Sequence, residues 1–220
     1  MIAIITANTN NFEKGVTHIE QTIPVTFYKF TDENFPPRYN AITPRLQSKI
    51  PKMFGWQMVP EHDYYIWIDS SFSLDNPDTV KWALKQCEGV DAAFLKHPVR
   101  NTIKEENAFV MERIQTAIQK NALHRYTYTR YNNEFFDDQT REIEADKEFI
   151  DNTLLASGFF IYRNNERVRN LMKEWWYFVS RYNLDDQLSL PYAIYKSKCQ
   201  ANIIDENFMN NPYLKHWRTK

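Results

Sequence analysis

Short apolar runs alternate along the chain with longer amphipathic segments. Continuous apolar runs at Ile2–Thr6, Tyr64–Ile68 and Ala92–Leu95 are typical of strands that are buried on both faces. A partly alternating stretch predicts another strand over Ile23–Phe30, and the run Leu154–Tyr162 predicts a further one. Segments long enough for helices separate most of these strands, which is the order found in α/β proteins.

The helical segments carry recognisable start signals and a basic face. Three helix starts are indicated by N-cap residues. These are Asn76, followed by Pro77; Thr102, with Glu105 three residues later; and Asn164 or Asn165. The segment Pro44–Phe54 predicts a helix with Arg45, Lys49 and Lys52 along one face, which is either a binding face or a solvated one. We therefore predict a single α/β domain over residues 1–220, with a mostly parallel central sheet and helices on both faces.

Two parts of the chain depart from this alternation. Residues 124–152 combine a stretch rich in Tyr, Thr and Arg with an acidic stretch, and we expect a partly helical surface excursion with solvated acids. The C-terminal tail is rich in turn-forming residues but keeps aromatic side chains that require burial. We expect this tail to fold back over the domain and its site.

Composition narrows the possible functions. With 43% hydrophobic and 25% charged residues and a net charge of -1, the 220-residue chain is globular, and bulk charge does not favour nucleic-acid binding. It contains four glycines and neither a Gly-rich dinucleotide motif nor a P-loop. Cys87 and Cys199 cannot form a disulfide framework. Since no apolar run approaches the roughly 18 residues of a membrane span and the start lacks a basic signal region, we expect a cytoplasmic protein.

The most informative segment is the strand Tyr64–Ile68, which ends abruptly in Asp69, Ser70 and Ser71. A carboxylate at the end of a buried strand is poorly solvated and gains much from a nearby cation. Asp69 and Ser71 present two oxygens on the same side of an extended chain, and Mg²⁺ and Mn²⁺ share such ligands with substrate phosphates. The alternative is that Asp69 only caps a turn through the amides of Ser70 or Ser71.

The segment Tyr65–Leu74 resembles the metal-binding strand end of a GT-A type nucleotide-sugar glycosyltransferase, in which the usual motif is Asp-x-Asp. More narrowly, residues 49–74 resemble the TOD1/MUCI70 family of glycosyltransferases. Further segments resemble this family in the same order, and they are Lys96–Arg100 with Glu105 and Glu106, Ser157–Arg163 and Tyr182–Ser189. Together the similar segments extend over about residues 45–197 and imply a GT-A-like fold.

This resemblance implies an enzyme that moves a sugar from a nucleoside-diphosphate sugar, in the first instance a UDP-sugar, to an acceptor hydroxyl with the help of Mn²⁺ or Mg²⁺. Asp69 would contact the metal that binds the donor's diphosphate. Ser71 stands where the second acid of the motif would be, which weakens direct metal binding or leaves a contact through water. His216 would be a late metal ligand, next to Lys215 as a phosphate-binding residue and Trp217.

The resemblance also implies roles for other residues. Donor contacts are expected at Thr6, Ala7, Asn8, Arg45, Lys49, Ser157 and Gly158. Contacts to the acceptor or the sugar are expected at His97, Arg100 and Gln187. Asp185 or Asp186 would be the base that deprotonates the acceptor hydroxyl, or would bind hydroxyls of the donor sugar; a helix cap is the alternative role.

Other functions remain open at this stage. A module that binds nucleotide sugars or carbohydrates without catalysis would explain a serine at position 71, whereas a phosphohydrolase would need more acids and histidines around Asp69 than the sequence offers. The acceptor could be a surface glycan, a lipid-linked sugar, a protein or, in a phage, a modified DNA base. Cations between aromatic residues in His124–Tyr131 suit the DNA acceptor, and the neighbouring acidic stretch argues against it.

Overall fold

The computed structural model describes residues 1–10 and 15–216. The strands are β1 (Ile2–Asn8), β2 (Thr17–His18), β3 (Thr26–Thr31), β4 (Tyr64–Ile68), β5 (Phe72–Leu74), β6 (Ala92–Lys96), β7 (Leu155–Arg163), β8 (Ala201–Ile204) and β9 (Lys215–His216). The α-helices are α1 (Pro44–Met58), α2 (Thr79–Gln86), α3 (Ile103–Gln119), α4 (Tyr126–Tyr131), α5 (Phe136–Ala145), α6 (Glu166–Arg181) and α7 (Leu190–Ser197). Short 3₁₀ turns lie at Asp186–Leu188 and Phe208–Asn210.

The central sheet contains six of the described strands in the order β3-β1-β4-β7-β6-β8. Every neighbouring pair in it is parallel except the two pairs formed by β7, which runs antiparallel between β4 and β6. The predicted α/β fold with a mostly parallel sheet is therefore confirmed. Because β7 is antiparallel, its first residues lie at the same edge of the sheet as the last residues of β1, β4 and β6.

Helices cover both faces of this sheet, as predicted. Side chains of a strand alternate between faces, so Trp67 of β4 packs with α1, α6 and α7 around the fully buried Trp175, while Ile66 and Ile68 pack on the side of α2. Burial on both faces explains why the strands read as continuous apolar runs. Helices α3 to α5 contribute to a third cluster of buried side chains beside α6, so residues 124–152 form packed helices away from the sheet.

Two helices differ from their predicted boundaries. Helix α1 continues to Met58 with non-helical backbone angles at Phe54, three residues after Pro51, because a proline inside a helix distorts it without always ending it. Helix α2 begins at Thr79 and not at Pro77, since the Asn76 side chain accepts the amide of Asp78 at 2.9 Å and forms a turn before the helix. The predicted caps of α3 and α6 are present.

A small second sheet joins the end of the described chain to two strands from its first half. Strand β5 lies between β2 and β9, and His216 of β9 pairs with Phe72 of β5. Leu214 is buried, and Tyr213 stacks on Trp82 with ring centroids 5.0 Å apart. This pairing brings the tail next to the loop that follows β4. Across residues 1–10 and 15–216, the helices are too short or too polar to cross a bilayer.

Candidate active site

A cavity of about 280 Å³ lies at the edge of the central sheet where β1, β4 and β6 end. Ala7 comes from β1, Asp69 from the end of β4, and Ser157 and Gly158 from the first half of β7. Ligands of open α/β sheets bind at this edge, outside the carboxyl ends of the parallel strands. The position of the cavity therefore follows from the strand order, and it makes this cavity the candidate site.

The Asp69 carboxylate reaches the cavity wall with 38% of its side chain exposed. The indole nitrogen of Trp67 donates to Oδ1 at 2.7 Å, and Nζ of Lys52 lies 3.5 Å from the same oxygen. The turn after β4 is instead closed by the Phe72 amide, which donates to the Asp69 carbonyl at 3.0 Å. The carboxylate is thus held at one oxygen by the protein, in contrast to the alternative in which it serves as a turn cap.

Gly158 lies beside this carboxylate and under the ring of Phe72. A Cβ atom at position 158 would be 2.8 Å from Cε2 of Phe72 and 3.4 Å from Oδ2 of Asp69. The ring of His216 lies against the same phenylalanine, with centroids 4.8 Å apart, and His216 and Ser71 both line the cavity. The absence of a side chain at Gly158 therefore keeps space for Phe72 and for the surroundings of Asp69.

Asp186 is the centre of a buried charge cluster on the cavity floor. Its Oδ2 accepts from Nζ of Lys49 at 2.6 Å and from Nζ of Lys52 at 2.7 Å, and its Oδ1 accepts from the Ser157 hydroxyl at 2.6 Å. Burial by itself would raise the pKa of Asp186, but the two lysines outweigh it and hold that pKa well below its usual range. The lysine face of α1 is therefore internal, and the solvated-face alternative is wrong for Lys49 and Lys52.

Asp185 has the opposite electrostatic surroundings although it is the adjacent residue. It is buried and lines the cavity, and Nε2 of Gln187 lies 3.4 Å from its Oδ1. Burial raises the pKa of Asp185, the charge of Asp186 raises it further, and Arg130 opposes both. Neighbouring carboxyls whose pKa values are pushed apart are suited to different roles, with Asp186 ionised and Asp185 able to hold a proton.

Helix α4 forms another wall of the cavity through Tyr126, Arg130 and Tyr131. Nη1 of Arg45, at the start of α1, donates to the Thr129 carbonyl at 3.0 Å and connects the two helices. The sequence predicts a surface excursion here and connects the aromatic and basic residues of this segment only with a DNA acceptor, so Tyr126, Arg130 and Tyr131 were not among the expected site residues. Their only local signal was the alternation of aromatic and basic residues.

Several residues expected in the site lie outside the lining of the cavity. They are Thr6, Asn8, His97, Arg100 and Lys215. Thr6 is buried and, because strand neighbours alternate, lies on the face opposite to Ala7. Lys215 likewise alternates with His216, and its Nζ lies 3.3 Å from Oδ2 of Asp75.

His97 and Arg100 stabilise the turn after β6. Nδ1 of His97 accepts the amides of Val99 at 3.3 Å and Arg100 at 2.9 Å. Burial lowers the pKa of His97 to about 4, assisted by the charge of Arg100, so the ring is neutral at ordinary pH. The Arg100 guanidinium forms an ion pair with Glu106 and lies 3.9 Å from the ring centroid of Phe109. Both side chains are thus engaged in local structure.

The donor set of the cavity suits a cation that is shared with a phosphate group. The described parts of the chain contain no cluster of three or more His, Cys, Asp or Glu side chains that could hold a metal ion. The cavity wall does bring together Asp69, Ser71 and His216. Mg²⁺ is commonly bound by one or two carboxylates together with substrate phosphates, so this set fits such a cation and does not fit a cage made by the protein alone. Trp217 lies outside the described residues.

Comparison with known proteins identifies similar chains. The family model described as TOD1/MUCI70, glycosyltransferase-like domain, matches residues 37–215. Two solved structures are similar to this chain, each with 9% sequence identity. A197 from STIV has a TM-score of 0.37, and the match covers 93% of this chain and 82% of that one. Mouse xyloside xylosyltransferase 1 in its apo form has a TM-score of 0.42, and the match covers 94% of this chain and 85% of that one. Neither superposition is close enough to support an argument about function. No curated protein sequence matches this chain.

Proposed function

The chain belongs to the TOD1/MUCI70 family of glycosyltransferase-like domains, and from that premise we propose that it transfers a sugar from a nucleoside-diphosphate sugar to an acceptor hydroxyl. The observation that carries the proposal is the cavity at the strand ends. The partly exposed Asp69 carboxylate lines this cavity together with Arg45 and Arg130. A cavity with both acidic and basic groups suits a ligand with a polar sugar and an anionic leaving group.

The donor would lie along the floor of the cavity. Ala7, at the end of β1, would be near the nucleoside, with uridine as the first candidate base. Ser157 and Gly158 would lie under the sugar, since β7 forms the cavity floor. Gln187, which also lines the cavity, would bind the sugar or the acceptor.

We propose Mn²⁺ or Mg²⁺ as the cofactor, held by Asp69 and His216 with Ser71 nearby. When bound, such an ion stabilises negative charge on a departing diphosphate. Lys52 and Trp67 hold Oδ1 of Asp69 and thereby fix the direction of the carboxylate. Because this donor set has one carboxylate, we expect the ion to bind weakly without the nucleotide.

In the reaction, the bond between the anomeric carbon and the diphosphate oxygen breaks, and a bond to the acceptor oxygen forms. The electron pair of the broken bond leaves with the diphosphate. Asp185 would accept the proton of the acceptor hydroxyl, because its burial in the cavity wall favours the protonated carboxyl. Asp186 is engaged by two lysines and a hydroxyl, so it would position α1 and β7.

A module that binds nucleotide sugars without catalysis is a second candidate. It is favoured by one observation, the serine at position 71 together with the small number of metal-ligating side chains in the described cavity. The acceptor of a catalytic protein remains one of several classes, namely a glycan, a lipid-linked sugar, a protein or a modified DNA base.

The test is a mass-spectrometric screen of a nucleotide-sugar panel for hydrolysis or transfer in the presence of Mn²⁺. We expect turnover of at least one donor by the unchanged protein and none by Asp69→Asn. Asp75→Asn is the matched control, because this exposed acid pairs with Lys215 away from the cavity. Binding of a sugar nucleotide without any turnover would favour the module, and equal turnover by Asp69→Asn would contradict the assignment of the site.

A further inference from the structure

Two arginines from different helices approach the same aromatic ring at the cavity wall. The guanidinium carbon of Arg45, at the start of α1, lies 5.8 Å from the ring centroid of Tyr126, and that of Arg130 in α4 lies 5.4 Å from it. Arg130 also donates to the Tyr126 hydroxyl. All three side chains line the cavity, so two cations from separate elements converge on one side of it.

Burial and the neighbouring guanidinium group disfavour the charge of Arg45, which a bound anion would offset. Burial lowers the pKa of Arg45, and the positive charge of Arg130 lowers it further, which shows that the two guanidinium groups repel each other. Glu134 is close enough to oppose this repulsion, but burial raises its pKa to about 7, so it carries only part of its charge at neutral pH. Burial by itself would lower the pKa of Arg130, but Tyr131 and Tyr126, followed by Asp185 and Asp186, outweigh it and raise that pKa, so Arg130 stays charged.

The lysines of the cavity are already committed to an internal partner. Lys49 and Lys52 both contact Oδ2 of Asp186, at 2.6 and 2.7 Å, and both are buried. Arg130, in contrast, is partly exposed at the cavity wall. An incoming anion would therefore meet the two guanidinium groups before it could compete for the lysines. Guanidinium groups bind phosphates through two parallel hydrogen bonds, which an ammonium group cannot do.

We propose that Arg45 and Arg130 form a clamp for the diphosphate of the donor, with Tyr126 as the ring that supports both guanidinium groups. This inference rests on the proposed function, because the ligand is the leaving group of that reaction. The clamp would join the start of α1 to α4, which are already connected by the bond from Arg45 to the Thr129 carbonyl. Residues 126–131 thus become a substrate-binding wall of the site.

The test is isothermal calorimetry with inorganic pyrophosphate and with UDP, in EDTA so that metal binding does not contribute. We expect Arg45→Gln and Arg130→Gln each to weaken pyrophosphate binding by at least about tenfold, and Arg130→Lys to weaken it by less. Added salt should weaken binding to the unchanged protein. Arg125→Gln is the matched control and should bind within about twofold of the unchanged protein, because Arg125 is exposed, precedes α4 and lies outside the cavity lining.

The outcomes separate the clamp from the proposed reaction. Undiminished binding by both glutamine variants overturns the clamp and leaves the glycosyltransferase proposal in place. Binding that depends on both arginines, in a protein that turns over no sugar nucleotide, supports the clamp and contradicts the reaction. Failure of the unchanged protein to bind either probe in EDTA overturns the clamp, whereas the proposed reaction, which uses a bound cation, is decided by the turnover screen with Mn²⁺. Melting curves are recorded for every variant, and if Arg130→Gln does not fold, Arg45→Gln and Arg130→Lys decide the result.

Discussion

Replacement of Asp186 by asparagine removes the charge at the centre of the buried cluster and keeps the shape of the side chain. The carboxylate accepts from two ammonium groups at 2.6 and 2.7 Å, both on buried lysines. Hydrogen bonds to charged groups contribute about 1.5–3 kcal/mol each, and removal of one partner of a buried ion pair costs about 3–5 kcal/mol. Because the two losses share one carboxylate and are not additive, we expect Asp186→Asn to lower the free energy of unfolding by about 3–5 kcal/mol.

Urea and thermal unfolding measure this change. For a chain of this size, about 2–4 °C is lost per kcal/mol, so the midpoint should fall by on the order of 10 °C. The control is Asp138→Asn, which breaks a surface ion pair with Arg141 and should cost less than about 1 kcal/mol. Adding Lys52→Met to Asp186→Asn should recover part of the loss, since an unpaired buried charge is then removed. A loss no larger than that of the control would refute the reasoning.

The same cluster predicts a pH dependence with a definite sign. The pKa of Asp186 in the folded protein lies below its ordinary value of 3.8. The stabilisation of the fold by the Asp186 charge is therefore complete above pH 3.8 and is lost as the pH falls below it. The difference in unfolding free energy between the unchanged protein and Asp186→Asn should therefore be constant near neutral pH and shrink below about pH 4. A difference that grew on acidification would contradict the assignment of the charge.

Three further substitutions probe separate contacts. Gly158→Ala places a Cβ 2.8 Å from Phe72, so we expect it to lower turnover and to destabilise the fold by about 1–3 kcal/mol; turnover equal to that of the unchanged protein would contradict the close packing. Trp67→Phe removes the 2.7 Å hydrogen bond to Asp69, so we expect the loss of transition-state stabilisation, calculated from turnover, to exceed the loss in free energy of unfolding. A loss of stability with unchanged turnover would contradict a positioning role. Burial lowers the pKa of His97 from 6.5 to about 4, so stability should decline as the pH falls through that interval, and a flatter profile is expected for His97→Gln.

Local patterns predicted much of the fold. The strands could be located because burial on both faces leaves a continuous apolar run, and the caps at Thr102 and Asn165 could be recognised because they depend on neighbouring residues. Asp69 could be selected as a candidate because it follows such a run directly. What a strand end does not reveal is its support: Trp67 and Lys52 hold one oxygen of that carboxylate through contacts that need the folded chain.

The rest of the site depends on contacts between distant parts of the sequence. Lys49 and Asp186 are 137 positions apart, so no local pattern shows that they form a buried pair. Helix α4 was predicted as a surface segment because its composition is polar, whereas its rings pack on α3 and line the cavity. The strand alternation that separates Ala7 from Thr6, and His216 from Lys215, becomes visible only when the register of the sheet is known.

The most direct measurement is a crystal structure of the protein soaked with Mn²⁺ and a sugar nucleotide that it turns over. We predict that the diphosphate lies in the cavity at the ends of β1 and β4, with the ion next to the Asp69 carboxylate and the guanidinium groups of Arg45 and Arg130 facing the phosphates. A nucleotide and ion bound elsewhere, away from the Asp69 carboxylate, would contradict the assignment of this cavity as the active site.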